Sequence, residues 1–319
     1  MTRALRHRLE YAGLRALETV FARLPEGAAG RLGAALGAAA FRLGVRRQVV
    51  DANLARALPD ADEADRRAVA QASFRHLGAE ASTLLRLSGL PAEAVVDRTD
   101  VSGWEALEAA HAAGRGVVVV TGHYGNWELS AAAVGARGLP VLAVAKRQSN
   151  ERFDRRLAGV RAGLGVRTIE MERAPREIPR ALKRGEVVGF VADQDAGERG
   201  LFLDFFGVPA SHHRGPALFA LRYRVPAFYA GCARIPGWPA RYRLDFRPLA
   251  LPHEEDPGEG IPHLTRAWAT ELESSIRRDP TQYFWMHNRW KRRPPPEHAS
   301  GPVRTMPPRG ATTSRDLRP

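Results

Sequence analysis

From residue 116 the sequence alternates short apolar runs with stretches of helical pattern, and that alternation limits the folds open to it more than any other feature. Val117–Thr121, Val141–Ala145, Val187–Ala192 and Pro226–Ala230 have the length and the apolar content of buried strands. Helices are expected near 126–136, 150–164, 175–184 and 214–224, interleaved with those runs. Strands alternating with helices predict an α/β fold: a central, mostly parallel sheet flanked by helices. Tyr242–Phe246 reads as a further strand, and 262–278 as a further helix that stops at Asp279-Pro280, where the residue before proline is pushed out of helical geometry.

Ahead of this core, residues 1–57 read as two or three helices and 62–88 as another, opened by Asp60 or Asp62. Leu5, Leu9, Ala12, Ala16, Val20 and Leu24 recur three or four residues apart, leaving arginines largely on the remaining surface, the pattern of a basic amphipathic helix. Such a stripe either lies on an anionic bilayer or packs on the rest of the protein, and periodicity does not choose between them. The uncharged stretch from Leu32 to Phe41 is about half of the ~20 residues a spanning helix needs, so no transmembrane helix is expected. Arginines scattered through the first 23 residues disfavour a signal peptide, and the catalytic body is expected to stay on the cytoplasmic side. Beyond Arg293 a run of prolines gives way to Gly, Ser, Thr and Arg without apolar periodicity, which predicts a disordered basic tail. The expected organisation is therefore N-terminal docking helices over 1–57, a catalytic domain over 58–293 and a tail over 294–319.

The chain of 319 residues carries a net charge of +13, which invites nucleic acid, anionic lipid or phosphorylated substrates as partners. Its distribution decides among them. Residues 1–57 contribute +6 and residues 291–319 another +5, leaving 58–290 near balance at +2. An almost neutral body with no recognisable binding module argues against a nucleic-acid-binding protein. A single cysteine, Cys232, excludes an intrachain disulfide and a multi-thiolate zinc site.

The chemistry concentrates after the first run, in Val117-Val118-Val119-Val120-Thr121-Gly122-His123-Tyr124-Gly125-Asn126-Trp127-Glu128: a buried strand, a glycine-flanked turn, and a helix start with Asn126 as N-cap. His123 then sits at the C-terminal edge of a strand, where open α/β sheets bind ligands. Across the strand–turn–helix junction the Glu128 side chain can converge on it. A carboxylate on an imidazole fixes the tautomer and stabilises the imidazolium, suiting His123 to general-base work; the bland alternative is a turn histidine and a glutamate complementing a helix dipole. No Gly-x-Ser-x-Gly elbow or Walker loop occurs and no cysteine lies near the histidine, so direct attack by a substrate hydroxyl is the simpler mechanism. Asp193-Gln194-Asp195 follows the third run and is expected on the same sheet edge. Paired carboxylates could bind a metal, but without further acids alongside, a hydrogen-bonding role for Asp193 is preferred, with a turn at Asp195 and Gly197 as the plain alternative. Arg147 and Arg161 could clamp a phosphate or be solvated surface residues. His212-His213-Arg214, before Gly215-Pro216, is either an anion site at a helix start or a polar loop.

At these residues the sequence resembles the lipid A biosynthesis acyltransferases, the late lauroyl/myristoyl transferases within the wider His-x4-Asp/Glu glycerolipid acyltransferases. The resemblance runs from the N-terminal helices to about residue 294. It rests on His123 to Glu128, Lys146-Arg147 leading to Asp154 and Arg161, Asp193-Gln194-Asp195, Phe205-Phe206-Gly207, Gly215-Pro216-Ala217, and Gln282-Tyr283-Phe284-Trp285-Met286-His287-Asn288-Arg289-Trp290-Lys291. It implies an enzyme on the cytoplasmic face of the inner membrane that moves a fatty acyl group from acyl carrier protein, or CoA, onto a hydroxyl of a phosphorylated lipid, without a cofactor. His123 would deprotonate the hydroxyl, Glu128 would orient His123, and Asp193 would assist. Arg161 and Arg147 would hold acceptor phosphate or donor, with Asn126, Gln194 and Arg214 as further substrate contacts. Backbone amides from Gly122 to Asn126 could receive the oxyanion. The acceptor stays open among a lipid A precursor, another glycolipid, an ornithine lipid or a lysophospholipid, and water as acceptor would make the protein a thioester hydrolase.

Overall fold

In the computed structural model, residues 2–87, 90–252 and 257–294 are described. Four helices come first: α1 (Arg3–Arg23), α2 (Glu26–Arg42), α3 (Arg47–Ala57) and α4 (Glu63–Leu87). The short α5 (Ala92–Val96) leads into β1 (Thr99–Ser102), α6 (Trp104–Ala112), β2 (Val117–Thr121), α7 (Trp127–Ala136), β3 (Val141–Ala145), α8 (Glu151–Gly163) and β4 (Val166–Glu170). Then follow α9 (Ala174–Lys183), β5 (Val187–Val191), β6 (Leu201–Phe205), β7 (Val208–His212), α10 (Gly215–Tyr223), β8 (Ala227–Ile235), β9 (Arg241–Leu249) and α11 (Pro257–Arg278).

Seven strands form one sheet in the order β1-β9-β8-β2-β5-β3-β4. The five from β8 to β4 are mutually parallel, β9 runs antiparallel to β8, and β1 is parallel to β9. The expected α/β fold with a mostly parallel central sheet is therefore the observed one. The four apolar runs are strands, Pro226–Ala230 being only the start of the nine-residue β8. Strands β1 and β4 and the antiparallel hairpin β6–β7 are additions that the apolar runs did not announce.

Alternate residues of the central strands serve two cores. Val117, Val119, Val141 and Val187 pack with Leu129 and Ala133 of α7 on one face. On the other, Val118, Val120, Leu142 and Val188 pack with Ile178 of α9, Ala217 of α10, and Trp268 and Leu272 of α11. Because β2, β3 and β5 are parallel, their C-terminal ends, and the loops that follow, gather along one edge.

The N-terminal helices are fastened to this body. Helix α2 lies so close to α4 that a Cβ on Gly37 would stand 2.0 Å from the Phe74 carbonyl oxygen, and one on Gly78 would stand 2.1 Å from that of Gly33. Helix α1 rests on α8 through polar groups: Arg156 Nε donates to Glu18 at 2.9 Å, and the Asn150 amide donates to the His7 carbonyl at 2.9 Å. The apolar stripe of α1 is on the other side, with Leu5, Leu9, Ala12, Ala16 and Val20 all exposed, Leu9 to 56%. Of the two fates left open for that stripe, packing on the protein is not the one observed. Leu32 and Leu36 of α2, and Leu43 just beyond it, are also exposed. Among the described residues no helix is long and apolar enough to cross a membrane. The expected disordered tail lies outside the described residues except for Pro294.

Candidate active site

The four-valine strand β2 delivers His123 to the C-terminal edge of the sheet, and the turn that holds it is built around two glycines. A Cβ on Gly122 would meet the Leu272 side chain at 2.7 Å and the Asp193 carboxyl carbon at 3.3 Å, so the missing side chain is what lets Asp193 approach. Gly125 has φ of 58°, and a Cβ there would collide with the Cys232 carbonyl oxygen at 1.8 Å. Asn126 caps α7, accepting from the Leu129 amide at 2.9 Å.

Asp193 leaves β5 on the neighbouring strand and closes on the histidine with both oxygens. Its Oδ1 lies 2.6 Å from His123 Nδ1, and its Oδ2 accepts the His123 backbone amide at 3.0 Å. An ionised carboxylate only accepts, so Nδ1 carries a proton and, in the neutral ring, Nε2 keeps the lone pair. The ring is walled by Trp127 at 4.7 Å and Phe284 at 5.8 Å between centroids. Burial alone would lower the His123 pKa, but the charge and hydrogen bond of Asp193, aided by the Glu128 charge, raise it. Burial would likewise raise Asp193; contact with His123, and the Arg289 charge, instead hold it well below the usual carboxylate range.

Glu128 is not the partner of the imidazole. It receives Arg161 Nε at 2.8 Å and Nη2 at 2.5 Å, because the first turn of α7 aims its side chain at α8 instead of back over the turn. Two expectations change together: Glu128 influences His123 only through its charge, and Arg161 sits in the cavity wall as half of a bidentate ion pair instead of as a free phosphate clamp. Asn126 is also reassigned. It is buried, and its amide nitrogen donates to Glu80 at 2.7 Å, so it joins α4 to α7 and is not in the lining of the cavity beside His123. Three amides of the turn already have acceptors: His123 gives to Asp193, Gly125 to the Gln282 carbonyl and Asn126 to the Cys232 carbonyl. Of the five amides from Gly122 to Asn126 expected as oxyanion donors, these three are already engaged.

A cavity of about 1100 Å³ opens at His123. Its polar middle includes Lys146, Arg147, Asp154, Gln194 and His213. Arg147 is held loosely by Glu151 at 3.0 Å. Arg214 is exposed and not part of this lining. Neighbouring His212 is a core residue, packed on Trp268 and Phe205, with its pKa pushed down to about 3 chiefly by burial. Asp195 and Asp193 have different partners. Asp195 bonds to Arg292, and its amide donates to His287 Nε2 at 2.9 Å. Among the described residues no group of three or more His, Cys, Asp or Glu side chains is placed to hold a metal. Burial pushes the Cys232 thiol up, far from thiolate formation.

The closing segment after α11 contributes more than residue patterning revealed. Phe284 donates its amide to the His123 carbonyl at 3.0 Å, clasping the turn from the side opposite Asp193. Arg289, 2% exposed, gives Nη1 to the Ser211 carbonyl at 2.6 Å and places its charge near Asp193. Buried Tyr283 has its hydroxyl pKa raised by burial and by the charge and hydrogen bond of Asp193. In the sequence these residues stood out only as the run from 282 to 291 on which the family resemblance partly rests, with no role attached to any of them.

The sequence profile of the family described as bacterial lipid A biosynthesis acyltransferase matches residues 2–292. The chain is similar to a lipid A biosynthesis lauroyltransferase of Escherichia coli, 29% identical over 83% of this chain and 85% of that protein. A lipid A biosynthesis palmitoleoyltransferase of the same organism is 28% identical over 82% and 85%. A phosphatidylinositol mannoside acyltransferase of Mycobacterium tuberculosis is 27% identical over 60% of this chain and 59% of that protein.

Proposed function

The chain belongs to the bacterial lipid A biosynthesis acyltransferase family and is an acyltransferase; from that premise we propose that it transfers a fatty acyl group from a thioester of acyl carrier protein, or of CoA, to a hydroxyl of a lipid A precursor or related glycolipid. The observation that carries this reading is His123 with Nδ1 fixed on Asp193 at 2.6 Å, in the lining of a large and mainly apolar cavity. Nε2 takes the proton of the acceptor hydroxyl as its oxygen attacks the thioester carbonyl. The tetrahedral intermediate collapses by breaking the carbon–sulfur bond, and the imidazolium returns the proton to the departing thiolate. Asp193 stabilises the imidazolium between the two steps and keeps the ring in the tautomer that can act.

Glu128 serves by fixing Arg161 in the wall, and Lys146, Arg147 and Gln194 supply the polar contacts for the acceptor head group or the phosphate of the donor arm. The outward stripe of α1, flanked by arginines, supports docking on the anionic cytoplasmic face of the inner membrane, where each basic residue near the surface contributes about 1 kcal/mol. The test is mass spectrometry of lipids from cells with and without the gene, complemented by wild type or His123→Ala. Loss of an acyl chain that only wild type restores is expected; restoration by the alanine variant overturns the mechanism. Release of free fatty acid with no acylated lipid would make the protein a hydrolase.

A further inference from the structure

The cavity straddles the C-terminal edge of the sheet and runs onto both of its faces, giving two mainly apolar arms that meet at His123, one of them with the Glu128–Arg161 pair in its wall. One arm lies between the sheet and α7–α8. It ends at Val134, Val141, Val166 and Val187, all 5% exposed or less, so it is blind. The path along β5 from Val191 at the mouth to Val187 at the end is about 13 Å at the rise of a strand. The other arm lies on the opposite face, between the sheet and α9–α10. Val144 and Phe190 form its floor, with Phe219 stacked on Phe190 at 6.3 Å between centroids. Its flank is open: Met171 and Leu218 line it and are 42% and 41% exposed.

We propose, resting on the acyl-transfer reading above, that the two arms hold two different hydrocarbon chains: the blind arm takes the chain in transfer, and the open arm between α9 and α10 takes an alkyl chain of the acceptor lipid. The asymmetry is what assigns them. An acyl chain on a thioester is a single tail that enters and leaves by one end, which a blind pocket with its mouth at the base accommodates. An acceptor lipid remains joined to other groups at a membrane surface, and only a groove open along its flank admits one of its chains without engulfing the rest. Lys146, Arg147 and Gln194, between the arms, then lie where the acceptor head group must pass to bring its hydroxyl to His123. Apolar walls on both sides of a polar waist match a ligand pair with two tails and a charged head.

The experiment uses two photoreactive probes on the full-length protein: a phosphorylated monoacyl glycolipid and a dodecanoyl-CoA, each with a diazirine at the chain end. The glycolipid is expected to label residues 171–175 and 215–223, and the thioester residues 131–134 and 187–189. The double variant Met171→Asp with Leu218→Asp, both at exposed positions, should abolish the first labelling and spare the second. In steady-state kinetics it should raise the acceptor KM about ten-fold, equivalent to losing the burial of roughly two methylenes, while the donor KM stays within about two-fold. Glycolipid labelling in the blind arm, or an acceptor KM that the double variant leaves unchanged, overturns the proposal while leaving acyl transfer intact. Labelling of α10 by a lipid that the wild type never acylates sustains the chain site and overturns the functional reading instead.

Discussion

Which carboxylate touches an imidazole decides how it titrates, and here that carboxylate is Asp193, seventy residues from His123 in sequence. The sequence made the position of His123, the proposed base, legible, because a valine strand ending in a glycine-flanked turn can place it only at a sheet edge. It assigned the orienting role to Glu128 because spacing shows proximity along the chain and not the direction in which the first turn of a helix points its side chain. Asp193 was legible as an assisting residue on a neighbouring strand end; that it grips both the ring and the backbone of His123 depends on the missing Cβ of Gly122. A base works in its neutral form, so the raised pKa of His123 means that kcat/KM rises as pH climbs through that raised value. Asp193→Asn removes the charge that offsets burial. The acid limb should shift to lower pH, and kcat should fall by about 10²–10⁴-fold as the tautomer and the imidazolium lose their support. Glu128→Gln should move the same limb in the same direction by much less. A larger shift for Glu128→Gln than for Asp193→Asn in the pH–rate profiles would reverse the assignment.

Among the elements, those that read clearly were the ones buried on both faces. Strands β2, β3 and β5 appear as apolar runs because no residue in them meets bulk water in quantity. Edge strand β4, Val-Arg-Thr-Ile-Glu, gives each core a single apolar residue, Val166 on one face and Ile169 on the other, and exposes Arg167 between them, so it falls below the threshold of a run. The hairpin β6–β7 was hidden by its chemistry: Pro209 sits in a strand, and the turn puts Phe206 at φ of 55° ahead of Gly207, where asparagine or aspartate would have signalled it. The Ala- and Gly-rich stretch of α2 was read for what it cannot do, span a bilayer; its use is close packing on α4. Gly37→Val pushes a side chain into the Phe74 carbonyl and should cost about 1–3 kcal/mol, seen as a lower urea midpoint with an unchanged slope. An unchanged midpoint would mean that the two helices separate freely.

For the whole molecule, the sequence located the charge in the two ends, yet it could not say which side of α1 faces outward. That side is set by contacts such as Glu18 with Arg156, between positions 138 residues apart, and those turn the leucine stripe away from the body. Leu5→Asp combined with Leu9→Asp should therefore release the protein from anionic vesicles in sedimentation, leaving its melting temperature within about 2 °C, since neither side chain is packed and surface changes are usually within ±0.5 kcal/mol. Wild-type binding should weaken as salt is raised, by screening. A double variant that still sediments fully would place docking elsewhere. The clasp on the catalytic turn by Phe284 and Gln282 has a consequence in time. During synthesis His123 and Asp193 both leave the ribosome well before the residues that hold the turn in place, so a growing chain carries the reactive pair without its geometry. Under the proposed mechanism, acyl transfer is expected to begin only once the end of the fold has arrived, and a chain cut short before residue 282 is expected to be catalytically silent instead of a loose hydrolase.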